Sequence, residues 1–201
     1  MNQVIQRIEQ RVAALPQGLQ AHINRVREIA VELAPRHNVE PERAALGMLA
    51  HDVARAMSDA QLMRHATELG LPIGVVDRQV PLLLHGPVGA EILQREDGLA
   101  ETDLYQAVYW HTTAHPSLER LGKVVFLADK LDPQKRHRYP YQPQLHQLAM
   151  QDLDQAILEF LNQELVAQVR QGQLVPPAML ETRNHLLAAE PGGEVASRTA
   201  N

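Results

Sequence analysis

The chain has 201 residues, 45% of which are hydrophobic, and its formal net charge is −5 at pH 7. It contains no cysteine, which excludes disulfides, thiolate catalysis and cysteine-ligated zinc or iron–sulfur sites. The sequence shows neither a signal peptide nor a run of about 20 apolar residues, and its mild negative charge disfavours general nucleic-acid binding. We therefore expect a cytoplasmic protein that binds neither a membrane nor nucleic acid.

The first part of the chain predicts three helices. Apolar residues recur at helical spacing over residues 4–12, and Pro16–Gly18 end that segment. A second helix is predicted over about Leu19–Leu33. Pro41 is suited to the first position of a third helix, because an N–H group there would have no helical partner.

Capping signals and helix breakers mark the next segments. Ser58 with Gln61 resembles a capping box for a fourth helix that ends near Gly70. After Gly86–Pro87 the segment VGAEILQRE continues as helix.

Two further helices lead into a loop. Thr102 is expected to cap a helix that runs through His111, and Ser117 to cap another that reaches about Leu131. A loop over residues 133–143, rich in Tyr, Pro and Arg, precedes a long helix.

The C-terminal part is also helical. The long helix carries an apolar stripe from Leu153 to Leu165 and is broken by Pro176–Pro177, after which a short helix covers Ala178–Ala189. The stripe is expected to pack on the core or on a second subunit, as in a homodimer.

The fold class that these patterns predict is all-α. No alternating strand pattern is present, and a core with only two Phe, one Trp and four Tyr favours packed helices. The predicted divisions are an N-terminal helix over residues 1–17, a globular helical domain over 18–140, a C-terminal helical extension over 141–190 and a disordered tail over 191–201.

Ionisable side chains interrupt several apolar helix faces. His22 shares a face with Val26 and Leu33, and His111 and Asp129 follow apolar residues of two other helices in the same way. His51 and Asp52 adjoin each other in the third helix, and His85 lies at a helix break. A divalent metal would satisfy these groups together, because imidazole nitrogen and carboxylate oxygen both suit Fe, Mn, Co or Zn. Six ligands suit two ions that share a carboxylate.

The order and surroundings of these residues resemble a known family. The segments AHINRV, LAHDVAR, LLHGPVGA, WHTTAHP and VVFLADKLDP are similar to those of HD-domain phosphohydrolases, and more closely to the bacterial YqeK-type family. Members of that family are symmetrical hydrolases of dinucleoside tetraphosphates with a di-iron centre. The resemblance covers roughly residues 18–140 and implies an HD-domain helical bundle.

The resemblance also implies residue roles. One metal ion would be held by His22, His51, Asp52 and Asp129. The other would be held by His85 and His111, with Asp52 bridging the two. The expected cofactor is a pair of divalent ions, iron first and manganese or cobalt as alternatives. The chain has Arg55, Trp110 and Ala114 where family members commonly have Lys, Tyr and Gly.

Several residues are candidates for catalysis or for binding the substrate, a dinucleoside polyphosphate. Asp52 is the expected catalytic carboxylate, and Arg25 and Arg55 are expected to contact the reacting phosphates because each follows a ligand by three residues. Further candidate substrate contacts are Thr112, Lys130, Lys135 and Arg136. Arg25 and Arg55 are equally compatible with ordinary solvated charges, and that alternative is favoured for Lys130, Lys135 and Arg136. Thr112 is equally compatible with a helix cap.

Other functions remain open at this stage. The metal pattern is shared by other HD-domain nucleotide phosphohydrolases, which differ in their products. A non-catalytic module that binds a nucleotide or a partner could also retain the metal for structure. A plain helical protein is the least economical alternative, because it would bury six ionisable residues without a ligand.

Overall fold

The computed structural model describes residues 2–189, and over that range the chain forms helices and connecting turns without a β-strand. The α-helices are α1 Asn2–Ala13, α2 Gln17–Leu33, α3 Pro41–Ala50, α4 Asp59–Leu69, α5 Val75–Gln79, α6 His85–Arg95, α7 Thr102–Trp110, α8 Arg120–Lys130, α9 Gln142–Ala149, α10 Leu153–Arg170 and α11 Pro177–Ala189. Short 3-10 helices cover Ala34–His37, Pro81–Leu84 and Pro133–Lys135. The predicted all-α class is confirmed. The predicted tail over residues 191–201 lies outside the described residues.

Helix α8 is the central element of the bundle. Helices α2, α3, α7 and α10 all pack against it, and every residue from Leu121 to Lys130 except Lys123 is buried. Its apolar residues supply the middle of the main core. Asp129 and Lys130 are the last residues of this helix, so the fold carries two charged side chains into the interior.

Local sequence signals explain several helix boundaries. Pro41 is the first residue of α3, as predicted. The Ser58 hydroxyl accepts a hydrogen bond from the Gln61 N–H, and the Gln61 side chain accepts one from the Ser58 N–H, which confirms the capping box of α4. Gly70 ends α4 in the left-handed conformation that glycine adopts without strain.

The predicted caps of α7 and α8 are wrong. The N-cap of α7 is Glu101, so Thr102 is already the first helical residue. Helix α8 begins only at Arg120, because Ser117 belongs to a turn in which its hydroxyl pairs with Nδ1 of His115 at 2.6 Å. That contact occupies the group that would have capped a helix.

The region predicted as loop followed by one long helix is more finely divided. Helix α9 precedes α10, and Asp152 separates them because its carboxylate accepts hydrogen bonds from the N–H groups of Asp154 and Gln155. The apolar stripe of α10 packs on the core, where the Phe160 ring meets Phe126 edge to face at 5.4 Å between centroids. A homodimer and the predicted domain boundary at residue 140 remain predictions.

No helix within residues 2–189 combines the length and apolar character required to cross a membrane.

Candidate metal centre

Three of the candidate imidazoles are oriented by their own backbone. His51, His85 and His111 each follow a helical turn, and Nδ1 of each ring contacts the carbonyl oxygen three residues earlier. These oxygens belong to Met48, Leu82 and Val108, at 2.6, 2.5 and 2.7 Å. A carbonyl oxygen can only accept, so Nδ1 carries the proton and the lone pair of Nε2 remains free for a metal.

His22 is oriented in a different way, by a carboxylate. Its Nδ1 lies 2.6 Å from Oδ2 of Asp132, a buried residue. The Arg25 guanidinium donates to both oxygens of the same carboxylate, at 2.9 and 2.8 Å, and the Gln134 N–H donates to Oδ1. The ring of His22 is therefore fixed by a charged group that is itself held in place.

Asp52 lies between the four imidazoles. Its Oδ1 is 3.1 Å from Nε2 of His85 and 3.6 Å from Nε2 of His111. Its Oδ2 is 3.4 Å from Nε2 of His51 and 3.7 Å from Nε2 of His22. The two carboxylate oxygens therefore face different pairs of rings.

Asp129 completes the cluster from the C-terminal end of α8. Its Oδ1 lies 3.1 Å from Nε2 of His22 and 3.8 Å from Nε2 of His51. Two ammonium groups balance its charge, because Nζ of Lys130 lies 2.8 Å from Oδ2 and Nζ of Lys135 lies 2.5 Å from Oδ1. Lys130 also donates to the His111 carbonyl, which ties α8 to the end of α7.

Gly86 allows the closest approach within the cluster. A Cβ atom at this position would lie 2.8 Å from the Tyr109 carbonyl oxygen and 3.3 Å from Cε1 of His111. The bare backbone lets α6 start directly against α7, so that Nε2 of His85 comes within 2.9 Å of Nε2 of His111.

The electrostatics favour an ionised Asp52 beside neutral imidazole. Burial opposes ionisation of Asp52, but the surrounding rings of His51, His111 and His85 outweigh it and lower its pKa well below the ordinary value. Burial lowers the pKa of His111 to about 4, and the nearby carboxylate only partly opposes this shift. A carboxylate and unprotonated imidazoles are the forms in which these side chains bind a metal.

The pKa of His22 is shifted in the opposite direction. Burial lowers it, but hydrogen bonds to Asp129 and Asp132 outweigh burial and raise the pKa to about 8. Burial opposes ionisation of Asp129 as well, yet Lys130, Lys135 and His22 together hold its pKa well below the ordinary value.

The cluster fits a metal by its donor atoms. Ligand atoms of His22, His51 and Asp129 lie within 4.8 Å of one another, and so do those of His51, Asp52 and His111. Nε2 of His51 is buried and has no hydrogen-bond partner among the described residues. A buried nitrogen with a free lone pair is costly unless a hydrogen-bond donor or a cation satisfies it, and a metal ion would do so here.

The cluster opens into a cleft of about 270 Å³. Arg55, Thr112, Lys130 and Lys135 line it, together with Asp52, His85, His111 and Asp129. Arg25 and Arg136 are not part of its lining: Arg25 is bound to Asp132, and Arg136 is exposed. The roles predicted for these residues in substrate binding remain predictions.

The HD domain profile matches residues 19–134. The chain belongs to the HD domain family. All six candidate ligands lie within the matched range, and HD domains bind divalent metal ions.

Relatives of this HD domain protein match most of its length. The symmetrical bis(5'-nucleosyl)-tetraphosphatase of Bacillus subtilis (strain 168) is 29% identical over 167 residues, which cover 83% of this chain and 88% of the relative. The enzyme of the same name from Halalkalibacterium halodurans is 31% identical over 166 residues, covering 83% and 87%. A crystal structure of a "predicted HD superfamily hydrolase involved in NAD metabolism" from Clostridium acetobutylicum is similar with a TM-score of 0.85 and 25% identity, over 92% of this chain and 97% of that one.

The HD domain structure adds residues that sequence reasoning missed. Asp132 was not a candidate, although it precedes a proline in the segment LDP and caps the 3-10 helix that follows. Arg138 lines the cleft, whereas Arg136 does not. Glu164 and Gln168 of α10 line it as well, and the apolar periodicity of that helix gave no sign of this.

Proposed function

We propose that this protein is a metal-dependent hydrolase that cleaves dinucleoside tetraphosphates symmetrically into two nucleoside diphosphates. One observation carries the proposal: relatives named symmetrical bis(5'-nucleosyl)-tetraphosphatase match 83% of this chain over 87–88% of their own length. The matched family domain contains the whole candidate metal cluster. The protein is accordingly an enzyme of the hydrolase class acting on acid anhydrides.

The ligand assignment follows the two faces of Asp52. We assign His22, His51 and Asp129 to one ion and His85 and His111 to the other, and Asp52 would contribute to both. This division is supported by the distances of Oδ1 to His85 and of Oδ2 to His51. Iron is the proposed metal, and manganese or cobalt would suit the same mixture of imidazole and carboxylate. When bound, two such ions supply Lewis acidity at the phosphate and lower the pKa of water.

The remaining residues bind and orient the polyphosphate. The Arg55 guanidinium faces the cleft and forms no ion pair or hydrogen bond with a described residue, so it is free to donate to phosphate oxygens. The Thr112 hydroxyl lies 3.3 Å from Nε2 of His111 and offers a further donor at the cluster. Lys135 is partly exposed and combines its contact to Asp129 with a position in the cleft wall.

Lys130 has a different proposed role from the other cations. It is buried, and burial lowers its pKa despite the opposing charge of Asp129. Because its ammonium group donates to the Asp129 carboxylate and to the His111 carbonyl, it orients two groups of the cluster.

The products of one reaction test the proposal. Diadenosine tetraphosphate is incubated with the protein and iron, manganese or cobalt, and the nucleotides are separated by chromatography. We expect ADP as the only nucleotide product. Equal amounts of ATP and AMP, or no cleavage with any of the three metals, would instead indicate another HD-domain phosphohydrolase or a binding module.

A variant ties the reaction to the cluster. Asp52→Ala is expected to lower activity about a thousandfold or more while leaving the helical fold intact, because no other side chain within residues 2–189 faces both pairs of imidazoles. Asp154→Ala is the matched control, since that carboxylate is half-exposed, pairs with Lys123 and does not line the cleft. Turnover of metal-supplied Asp52→Ala near the wild-type rate would contradict the ligand assignment.

A further inference from the structure

The cleft at the metal cluster extends to the C-terminal helices. Besides the cluster and its cations, its wall contains side chains that follow the matched HD domain in the sequence. These are Tyr139, Phe160, Glu164, Gln168, Pro176 and Met179. The extension therefore forms part of the same cavity as the candidate catalytic residues.

The two parts of the cleft wall differ in chemistry. The cluster presents carboxylates, imidazoles and cations, whereas the C-terminal part presents mainly apolar groups, namely two aromatic rings, a proline and a thioether, beside Glu164 and Gln168. The two parts meet at Lys130, whose Nζ lies 2.8 Å from Oδ2 of Asp129 and 5.9 Å from the centre of the Phe160 ring. A nucleotide is divided in the same way, into charged phosphates and a flat base with apolar faces.

Gln168 is a polar residue in this largely apolar part of the cleft wall. Its Oε1 is buried without a hydrogen bond to any described residue, and its Nε2 has only a weak contact to Sδ of Met179 at 3.9 Å. The terminal amide torsion of glutamine is broad, so the amide can turn into the cleft without giving up a strong hydrogen bond. A carboxamide places one donor beside one acceptor, which matches the edge of adenine.

Glu164 does not oppose a nucleotide here. Its carboxylate lies 3.6 Å from Nη2 of Arg138, whose guanidinium is largely exposed at the rim of the cleft. This pairing balances the negative charge that would otherwise repel phosphate. The cleft volume of about 270 Å³ is just below the usual range for ligand sites, which suits one nucleotide of a larger substrate.

We propose that the C-terminal helices bind one nucleoside of the substrate and that Gln168 hydrogen-bonds its base. The inference rests on the proposed function for the identity of the substrate. It gives α10 and α11 a role in specificity, which the metal cluster alone cannot supply because phosphates are common to all nucleotides.

Binding measurements on the manganese-loaded protein separate the base from the phosphates. Calorimetry compares ADP with inorganic pyrophosphate for the wild type, Gln168→Leu and Gln163→Leu. Gln163 is the matched control, because it lies on the same helix but is exposed and bonded to Glu159. We expect Gln168→Leu to weaken ADP about fivefold to tenfold and pyrophosphate by less than about twofold, and the control to change neither. The KM for diadenosine tetraphosphate should rise with little change in kcat.

The outcomes distinguish this inference from the proposed function. Unchanged ADP binding in Gln168→Leu, an equal loss of ADP and pyrophosphate, or a wild type that binds ADP no more tightly than pyrophosphate would overturn the inference. A wild type that fails to release ADP from diadenosine tetraphosphate would overturn the proposed function, while the comparison of ADP with pyrophosphate would still decide whether a nucleoside site exists.

Discussion

The Asp132 carboxylate lies 2.6 Å from Nδ1 of His22, across 110 positions of sequence, and Arg25 holds both of its oxygens. The other three imidazoles of the cluster donate to neutral backbone carbonyls. Among these four rings, only His22 is therefore paired with a carboxylate. The carboxylate increases the electron density of the ring, which makes His22 a stronger metal ligand. Burial opposes ionisation of Asp132, but His22 and Arg25 outweigh it and hold its pKa below the ordinary value.

Asp132→Asn should weaken metal binding rather than unfold the protein. An amide can still accept from Nδ1 of His22, but it loses the charge that orients the ring and pairs with Arg25. We expect an affinity loss of about tenfold to a hundredfold at the ion nearest His22, measured by competition with a chelator. The matched control is Asp152→Asn, which removes the charge of a helix cap that does not line the cleft. Equal metal affinities of Asp132→Asn and the wild type would contradict this positioning role.

Metal binding should depend on pH through His22. Its pKa is raised to about 8 in the metal-free fold, so below that pH a metal must displace a proton from Nε2. The apparent affinity should therefore rise with pH and level off near 8. The stability of the metal-free protein should depend on pH in the opposite direction. Protonated His22 stabilises the metal-free fold fully below about pH 6.5, and this contribution is lost as the pH rises through 8.

Proton release measures this linkage directly. Calorimetry in buffers of different ionisation enthalpy should detect proton release on metal binding at pH 7. Asp132→Asn should release fewer protons, because removal of a negative neighbour lowers the pKa of His22. Release that is the same in both proteins would show that the proton comes from another group.

Arg25 and Arg55 should respond differently to truncation. Arg55→Ala is expected to lower kcat/KM by about tenfold to a hundredfold, from the roughly 1.5–3 kcal/mol of a hydrogen bond to a charged group. Arg25 contacts Asp132 instead of lining the cleft, so Arg25→Ala should act through metal affinity, and excess metal should restore activity. Arg64→Ala, at an exposed position of α4, is the control. Excess metal that rescues Arg55→Ala but not Arg25→Ala would reverse the assignment.

The helical period explains which parts of the site the sequence predicts. His22 is found because it shares an apolar face with Val26 and Leu33, and a helix face is a local property. Asp132 is missed because it lies in a turn, where an acidic residue before proline has an ordinary capping role, and its partner is distant in the sequence. Gln168 is missed because the periodicity of α10 does not determine which of its half-buried residues faces the cleft.

The errors at helix ends have the same origin. Ser58 and Gln61 cap α4 through contacts three residues apart, so their pattern is sufficient. Ser117 has an equally suitable side chain, but the neighbouring ring of His115 binds its hydroxyl. A capping residue is predictable from the sequence only where no competing partner is nearby.

Ala114 adopts a backbone conformation that favours glycine, so substitutions at this position test backbone strain close to the metal cluster. It lies three residues after His111, is fully buried and has φ = +61°. Ala114→Gly should change the free energy of unfolding by less than about 1 kcal/mol. Relief of the left-handed conformation, worth about 1–2 kcal/mol, offsets about 0.8 kcal/mol of methyl burial and the roughly 0.5–1 kcal/mol entropic cost of glycine.

Two further substitutions test the strain predicted at Ala114: a larger residue at the same position, and a glycine at a buried helical position as the control. Ala114→Val should cost more than about 2 kcal/mol, because a β-branched residue resists this φ and two methyl groups would be added at a fully buried position. Ala107→Gly is the control at a fully buried position of α7, where lost helix propensity and lost burial should together cost about 2 kcal/mol. Denaturant unfolding measures all three. Equal losses in the free energy of unfolding for Ala107→Gly and Ala114→Gly would show that the left-handed backbone at position 114 stores no strain.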